Sequence, residues 1–151
     1  MSKDLNIHDL KLVPLNQIID ERGAVLHYLK SNSELFKGFG EAYFSKINTG
    51  VIKGWKLHYR VHQNFCVPFG SVLIVFYDGR EDSPTFGAMD EVLLNDLDEY
   101  KLLSIPPGIW YSFKCVSDHY ALLSNIINAT HDPSESRNLP LNNQEIPYEW
   151  K

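Results

Sequence analysis

The sequence predicts an all-β sandwich or barrel, and three observations support this fold class. Short apolar or alternating runs recur along the chain and are separated by Gly, Pro, Asn and Asp, a pattern typical of proteins built from many short strands. Helical periodicity is confined to Ser31–Lys37, over one or two turns. Ser71–Tyr77 is a continuous apolar run of strand length, which indicates a strand covered on both faces.

Four strands are predicted before that apolar run. Ala24–Leu29 follows the turn at Arg22-Gly23, and Glu41–Ile47 forms the next strand. Val51–Tyr59 alternates between apolar and polar residues, and Gln63–Val67 is a shorter fourth strand.

The second half of the chain continues the same pattern. The turn Asp78-Gly79-Arg80 ends the apolar run. The strands predicted after it are Val92–Leu94, Tyr100–Ile105, Trp110–Cys115 and Tyr120–Ile127, which gives about nine or ten in all.

The final stretch, Asp132–Trp150, is polar and contains three prolines. It is not expected to form a central strand, because proline cannot donate to a ladder. Ile146, Tyr148 and Trp150 alternate as buried anchors would, so a docked tail is predicted. With no repeat, low-complexity tract or linker, residues 1–151 are predicted to form one domain.

Composition and charge narrow the classes of partner. A net charge of −5 argues against a nucleic-acid surface, although Lys53, Lys56 and Arg60 form a local cationic segment that suits an anionic small molecule. No run approaches the roughly 20 apolar residues that cross a bilayer. The N-terminus has no apolar signal region, so a cytoplasmic protein without membrane partners is expected. Cys66 and Cys115 are expected to be buried free thiols.

Histidine is well suited to act as a base near neutral pH, and His58 lies in the alternating strand Val51–Tyr59. The alternation separates two faces, which carry Trp55, Leu57 and Tyr59 on one side and Lys56, His58 and Arg60 on the other. The second face either lines a cavity or forms the solvated side of an edge strand.

Four motifs in fixed order carry a family resemblance. They are D-E-R-G at Asp20–Gly23, G-W-K-L-H-Y at Gly54–Tyr59, S-P-T-F-G at Ser83–Gly87 and I-P-P-G at Ile105–Gly108. Together they resemble the dTDP-4-dehydrorhamnose 3,5-epimerases, cupin-fold enzymes of nucleotide-sugar biosynthesis, over nearly the whole chain. The resemblance implies a jelly-roll barrel and a cofactor-free isomerase of rhamnose-type polysaccharide biosynthesis. It also implies a nucleotide-diphosphate deoxysugar substrate and a homodimer that exchanges N-terminal strands.

The reaction of that family inverts a sugar carbon beside a keto group. It needs a base, an acid on the opposite face and donors for the enolate oxygen. The resemblance implies that His58 is the base, that Tyr111 lines the sugar pocket and that Arg22 binds the diphosphate. Arg80 is a further candidate for a phosphate contact. The acid is expected to be Tyr111 or Tyr59.

Other family positions carry different residues in this chain. The family lysine aligns near Gln63, its arginine with Lys53 or Lys56, and its tyrosine acid near Asn125. The family aspartate that pairs with the base lies beyond the last residue, so His58 is expected to use another partner or none. Substrate-binding roles are assigned to Arg22, Lys53, Lys56, Tyr59, Arg60, Gln63, Arg80 and Asn125.

A metal is not expected, although His62 follows His58 at a spacing that metal-binding cupins use. Tyr111 occupies the place of the second-motif histidine and no glutamate follows His62 closely, so at least two ligands are missing. Three functions remain open: a 3,5-epimerase with a rearranged acid, a single-site epimerase or 3,4-ketoisomerase, and a non-catalytic sugar-binding cupin.

Overall fold

The computed structural model describes residues 5–151, and its regular secondary structure is almost entirely antiparallel strands. The strands are β1 (Lys11–Pro14), β2 (Gln17–Asp20), β3 (Gly23–Leu26), β4 (Glu41–Ile47), β5 (Ile52–His58), β6 (Gln63–Phe69), β7 (Ser71–Asp78), β8 (Met89–Asn95), β9 (Lys101–Ile105), β10 (Ile109–Cys115), β11 (Ala121–Ile127) and β12 (Ser136–Asn138). A 3₁₀ helix at Pro133–Glu135 precedes β12.

Two five-stranded sheets form the body of the fold. The first sheet has the order β1-β9-β6-β11-β4, and the second has the order β12-β5-β10-β7-β8. Strands β2 and β3 form a separate two-stranded hairpin. Non-consecutive strands lie side by side in both sheets, so the chain passes repeatedly from one sheet to the other.

The main core lies between the two sheets. Phe65, Val67 and Leu123 from the first sheet pack in one cluster with Ile74 and Phe76 from the second. Each of these side chains is at least 98% buried. Burying a side chain of this size contributes roughly 1.5–3 kcal/mol, so the contact between the sheets is the main source of stability.

A second apolar cluster covers the outer face of the second sheet. It contains Trp55, Val75, Trp110 and Ile146, and Leu139, Tyr148 and Trp150 pack against it. The C-terminal tail is therefore docked, with Ile146, Tyr148 and Trp150 as its anchors, as the alternation predicts.

The motif S-P-T-F-G forms a polar anchor around the fully buried Asp78. Ser83 Oγ and Thr85 Oγ1 donate to Asp78 Oδ2 at 2.6 and 2.7 Å, and Arg80 Nε donates to Asp78 Oδ1 at 2.9 Å. Burial alone would raise the pKa of this carboxyl, but these hydrogen bonds outweigh it and hold the pKa well below its ordinary value. The motif thus fixes the loop between β7 and β8.

Most expectations from the sequence are confirmed. All nine predicted strands are present, and Cys66 and Cys115 are buried free thiols. The helical expectation for Ser31–Lys37 is wrong, because the segment forms turns closed by bonds such as Ser33 N–H to the Lys30 carbonyl. Strands β1, β2 and β12 were not predicted. Within residues 5–151, no helix is long and apolar enough to span a membrane.

Candidate active site

Strand β5 carries His58 into the space between the sheets. Trp55 and Leu57 face the outer cluster under the tail, whereas His58 is 4% exposed and lies on the inner side. Lys56 is paired with Tyr111 of β10, which belongs to the main core. Of the two alternatives for this face, the interior is therefore the correct one for His58.

Gly54 allows β5 to pass close to β10. Its φ of +127° lies in a region that residues with a side chain rarely adopt. A Cβ at this position would lie 2.7 Å from the Cα and Cβ atoms of Ser112. The register between β5 and β10 shifts at the same point, next to Tyr111. The glycine of G-W-K-L-H thus sets the path of the strand that ends at His58.

Glu135 is the hydrogen-bond partner of His58. Glu135 Oε1 lies 2.7 Å from His58 Nδ1, and both side chains are about 95% buried. Glu135 Oε2 accepts from the backbone N–H groups of Arg60 and Val61 at 2.8 and 2.9 Å. These bonds fix the carboxylate and place the imidazole proton on Nδ1. The base therefore has a partner within this chain, in the 3₁₀ helix before β12.

The second ring nitrogen of His58 is available for chemistry. His58 Nε2 is buried and has no hydrogen-bond partner among residues 5–151. Burial lowers the pKa of His58 below its ordinary value, although the bond to Glu135 acts in the opposite direction. The pKa of Glu135 is also lowered, because its hydrogen bonds from His58, Arg60 and Val61 outweigh burial. At neutral pH the pair consists of a neutral imidazole with a free Nε2 and an ionised carboxylate.

A chain of polar side chains crosses the interior from His58 to β4. The rings of His58 and Tyr111 are stacked, with centroids 6.4 Å apart. Tyr111 Oη donates to Gln63 Oε1 at 3.2 Å, and Asn125 Nδ2 donates to the same oxygen at 2.9 Å. Asn125 Nδ2 also lies 3.1 Å from Tyr43 Oη. The site thus joins both sheets through β10, β6, β11 and β4.

Comparison with known proteins identifies the family. A model of the dTDP-4-dehydrorhamnose 3,5-epimerase family matches residues 4–151. The chain belongs to this family. Relatives of this epimerase include a probable low-salt glycan biosynthesis epimerase of Haloferax volcanii, 31% identical over 96% of this chain and 95% of that protein. A spore coat polysaccharide biosynthesis protein of Bacillus subtilis is 27% identical over 95% of this chain and 96% of that protein.

Solved structures agree with this assignment. The crystal structure of a dTDP sugar isomerase from Desulfovibrio desulfuricans is 41% identical, with a TM-score of 0.95 over 98% of this chain and 94% of that chain. A 4-keto-6-deoxy sugar epimerase of Streptomyces spheroides has the same fold, with a TM-score of 0.88 and 22% identity. The match covers 99% of this chain and 78% of that chain. The predicted cupin-type jelly roll and the assignment to the isomerase class are therefore confirmed.

The predicted site residues fall into two groups in this epimerase. The structure brings together His58, Tyr111, Gln63 and Asn125, all at least 95% buried. Lys56 is half-buried on the same side of β5 as His58. The second group lies farther out, and its members are Tyr59, Arg60, Lys53, Arg22 and Arg80.

Residues of the outer group differ in how they are held. Tyr59 and Arg60 follow the end of β5 and are exposed. Lys53 Nζ donates to Ser45 Oγ and to the Lys46 carbonyl, at 3.1 and 2.9 Å, so it ties β5 to β4. Tyr59 is therefore a poor candidate for the acid within this chain, because its side chain is at the surface.

The two predicted phosphate-binding arginines are both engaged in ion pairs. Arg22 is at the tip of the β2–β3 hairpin, where it is 82% exposed and 2.6 Å from Asp20. Arg80 bonds to Asp78, to Ser83 and to the His8 carbonyl. These bonds let Arg80 hold the β7–β8 loop, and its phosphate contact stays a prediction.

His62 belongs to a different polar contact. Its Nε2 lies 2.9 Å from Ser104 Oγ, and burial lowers its pKa to about 4. In the part of the chain that the structure describes, no three His, Cys, Asp or Glu side chains converge as metal ligands.

Two further residues belong to the site, Glu135 and Tyr43, and neither is among the residues that the sequence predicts. Glu135 lies in Asp132-Pro133-Ser134-Glu135, where Asp132 caps the 3₁₀ helix and Pro133 begins it. This is a recognisable helix-start signal, which could have marked the segment as ordered. Tyr43 alternates with Ala42 and Phe44 in β4, but the sequence does not reveal which face of that strand is inside.

Proposed function

We propose that this epimerase acts on a dTDP-linked 4-keto-6-deoxy sugar in polysaccharide biosynthesis and inverts carbons 3 and 5 without a cofactor. The observation that carries the proposal is the buried pair of His58 and Glu135, with Nε2 of His58 free. A neutral imidazole held in one tautomer is suited to removing a proton from carbon beside a ketone. The cytoplasm, as expected from the sequence, is the proposed location.

Glu135 supports the base in two ways. It holds the proton on Nδ1, which leaves the lone pair on Nε2, and its charge stabilises the imidazolium that forms when Nε2 accepts a proton. Because the ring is buried, that charge interaction is stronger than it would be in water.

The enolate oxygen needs donors, and Gln63 supplies them in this proposal. Gln63 Oε1 already accepts from Tyr111 and Asn125. The Nε2 amide protons of Gln63 are then the part of the side chain that can donate to substrate. A donor that is aimed at a developing oxyanion typically contributes about 3–4 kcal/mol to the transition state.

Substrate phosphates need a cationic surface outside the buried centre. Lys56 shares the inner side of β5 with His58, and Arg60 is exposed just beyond the end of the strand. We assign both to the diphosphate, with Tyr59 beside them and Lys53 as a more distant contact. Arginine is well suited to this role because its planar fork bonds two oxygens at once.

A homodimer is part of the proposal. Ile18, Ile19 and Val25 of the β2–β3 hairpin are 58%, 70% and 58% exposed, and Phe44 on β4 is 65% exposed. Apolar surface of this kind favours a protein interface. A hairpin docked on a second copy would also carry Arg22 towards that copy's substrate, which fits its predicted role.

Light scattering should give the mass of two chains for the wild type. Ile19→Asp should shift the measured mass towards that of one chain, whereas Val116→Asp, the control at another exposed apolar site, should not.

The decisive experiment follows proton exchange from the substrate. The protein is incubated with dTDP-4-keto-6-deoxyglucose in deuterated water, and the sugar is analysed by NMR. Exchange and inversion at C3 and C5 are expected for the wild type. His58→Ala should abolish both, while the matched control His119→Ala, at an exposed loop position, should retain them. Full exchange in His58→Ala would refute His58 as the base.

A second candidate function is supported by the neutral character of the pocket. Gln63 and Asn125 place amides where the resemblance leads one to expect a lysine and a tyrosine. A site with one imidazole and two amides suits a single epimerisation or a 3,4-ketoisomerisation on a related nucleotide sugar. Exchange at one carbon only would favour this candidate, and binding without any exchange would indicate a non-catalytic sugar-binding cupin.

A further inference from the structure

The direction of each hydrogen bond in the polar chain shows which tyrosine keeps a free proton. Asn125 Nδ2 has two protons, one directed at Gln63 Oε1 (2.9 Å) and one at Tyr43 Oη (3.1 Å). Tyr111 has one hydroxyl proton, and it is donated to Gln63 Oε1. Tyr43 therefore accepts through its oxygen and retains its own proton for another partner.

The position of Tyr43 in the sheet directs it towards the interior between the two sheets. Tyr43 lies directly opposite Asn125 in the pairing of β4 with β11. It shares a face of β4 with Ile47, which is fully buried in the core between the sheets. His58 enters the same interior from β5 of the second sheet. The base and the free phenol thus belong to facing sheets.

We infer that Tyr43 is the acid that protonates the enolate on the face opposite His58. The inference rests on the proposed function, since it requires an enolate in this site. It replaces the assignment of the acid to Tyr111, whose hydroxyl proton is already donated to Gln63. Asn125 becomes a positioning residue, because its amide holds the phenol oxygen of Tyr43.

The proton balance of the step is complete. His58 Nε2 takes the proton from the sugar carbon, and the electron pair moves to the carbonyl oxygen as an enolate. The enolate carbon then takes the hydroxyl proton of Tyr43 from the other face, which restores the ketone with inverted configuration. The imidazolium loses its proton to water and the phenolate gains one from water, so the enzyme returns to its initial state.

The environment of Tyr43 is consistent with both halves of this cycle. Burial raises the pKa of Tyr43 and outweighs the hydrogen bond from Asn125, which lowers it. The nearby charges of Glu41 and Glu135 also raise the pKa, so the phenol is protonated at neutral pH. The side chain is only half-buried, which leaves a route for water to return the proton. Tyr111, by contrast, is 5% exposed.

The test separates carbon deprotonation from inversion. Tyr43→Phe is incubated with dTDP-4-keto-6-deoxyglucose in deuterated water. Two quantities are measured: the deuterium taken up by sugar that keeps its original configuration, and the amount of sugar with inverted configuration. We expect inversion to fall by about 10²- to 10⁴-fold, the usual contribution of a general acid, while exchange with retention through His58 persists. Tyr120→Phe, at an exposed tyrosine just before β11, is the control and should retain both.

A third variant distinguishes the two tyrosines. Tyr111→Phe should leave the ratio of inversion to exchange unchanged, even if both rates fall. A reduced ratio in Tyr111→Phe with a normal ratio in Tyr43→Phe would overturn the inference. So would a parallel loss of exchange and inversion in Tyr43→Phe, which would indicate a role in shaping the site. A wild type without exchange at any carbon would overturn the proposed function itself, and this inference with it.

Discussion

Glu135→Gln is the most informative single substitution, because the structure determines how the new amide must turn. Two backbone N–H groups, of Arg60 and Val61, point at Oε2, so the amide must present its oxygen to them. Its NH₂ group then faces His58 Nδ1, which must become an acceptor. The ring proton moves to Nε2, and the lone pair needed for proton abstraction is lost.

The size of the effect follows from this change of tautomer. Losing correctly placed base catalysis costs about 10²- to 10⁴-fold in rate, or roughly 3–5 kcal/mol in the barrier. Stability changes less, because the two backbone bonds survive with a neutral acceptor. A loss of about 1–3 kcal/mol in the free energy of unfolding is expected for the weakened charge-assisted bonds.

The assay is solvent deuterium exchange into dTDP-4-keto-6-deoxyglucose, measured from pH 4 to 9. Glu135 raises the pKa of His58, and the amide of the variant does not. In the pH–rate profile of Glu135→Gln, the residual rate should therefore fall off on the acidic side at a lower pH than in the wild type. Glu135→Asp should recover part of the rate. Glu145→Gln, which removes an exposed carboxylate paired with Arg137, should behave as wild type. A rate for Glu135→Gln within tenfold of wild type would refute the tautomer argument.

Three further predictions concern pH and stability. In the wild type, the acidic limb of kcat/KM should have its midpoint below pH 6.5, because burial lowers the pKa of the base; a midpoint above 7 would contradict this. Gly54→Ala should lower the free energy of unfolding by about 2 kcal/mol or more in urea titration, since a Cβ meets Ser112 at positive φ, and an unchanged midpoint would count against that contact. Asp78→Asn should cost about 2–4 kcal/mol at pH 7 by loss of the buried charge-assisted bonds. The pKa of Asp78 is lower in the folded state than in the unfolded state, so the difference in unfolding free energy between wild type and variant should shrink as pH falls below 3.8. A difference that stays constant with pH would contradict a stabilising role of the ionised Asp78 carboxylate.

The fold was predictable because its signals are local. Alternation along β4 and β5, the apolar run of β7 and the turn after Asp78 each report on a few neighbouring residues. Strands β1 and β12 were missed because they are four and three residues long and lie at sheet edges, where burial is slight and the pattern is weak.

The site was predictable only in part, since its geometry depends on contacts between distant segments. His58 is recognised from its motif and Gln63 from the family resemblance, whereas Glu135 is 77 residues from the base it holds. The role of Tyr43 depends on which face of β4 is inside and on the direction of the Asn125 amide. Neither property is encoded in the local pattern.

The docked tail also determines how the enzyme should lose activity on heating. Glu135 lies at the start of the C-terminal segment, which runs along the edge of β5 and ends with Trp150 bonded to Ser112 at 3.0 Å. Such a peripheral segment can open as a unit while the sheets remain intact. Its departure would strip the base of its partner without exposing the main core. Inactivation should therefore precede global melting, so that catalysis reports on a partly open state that measurements of the core do not detect.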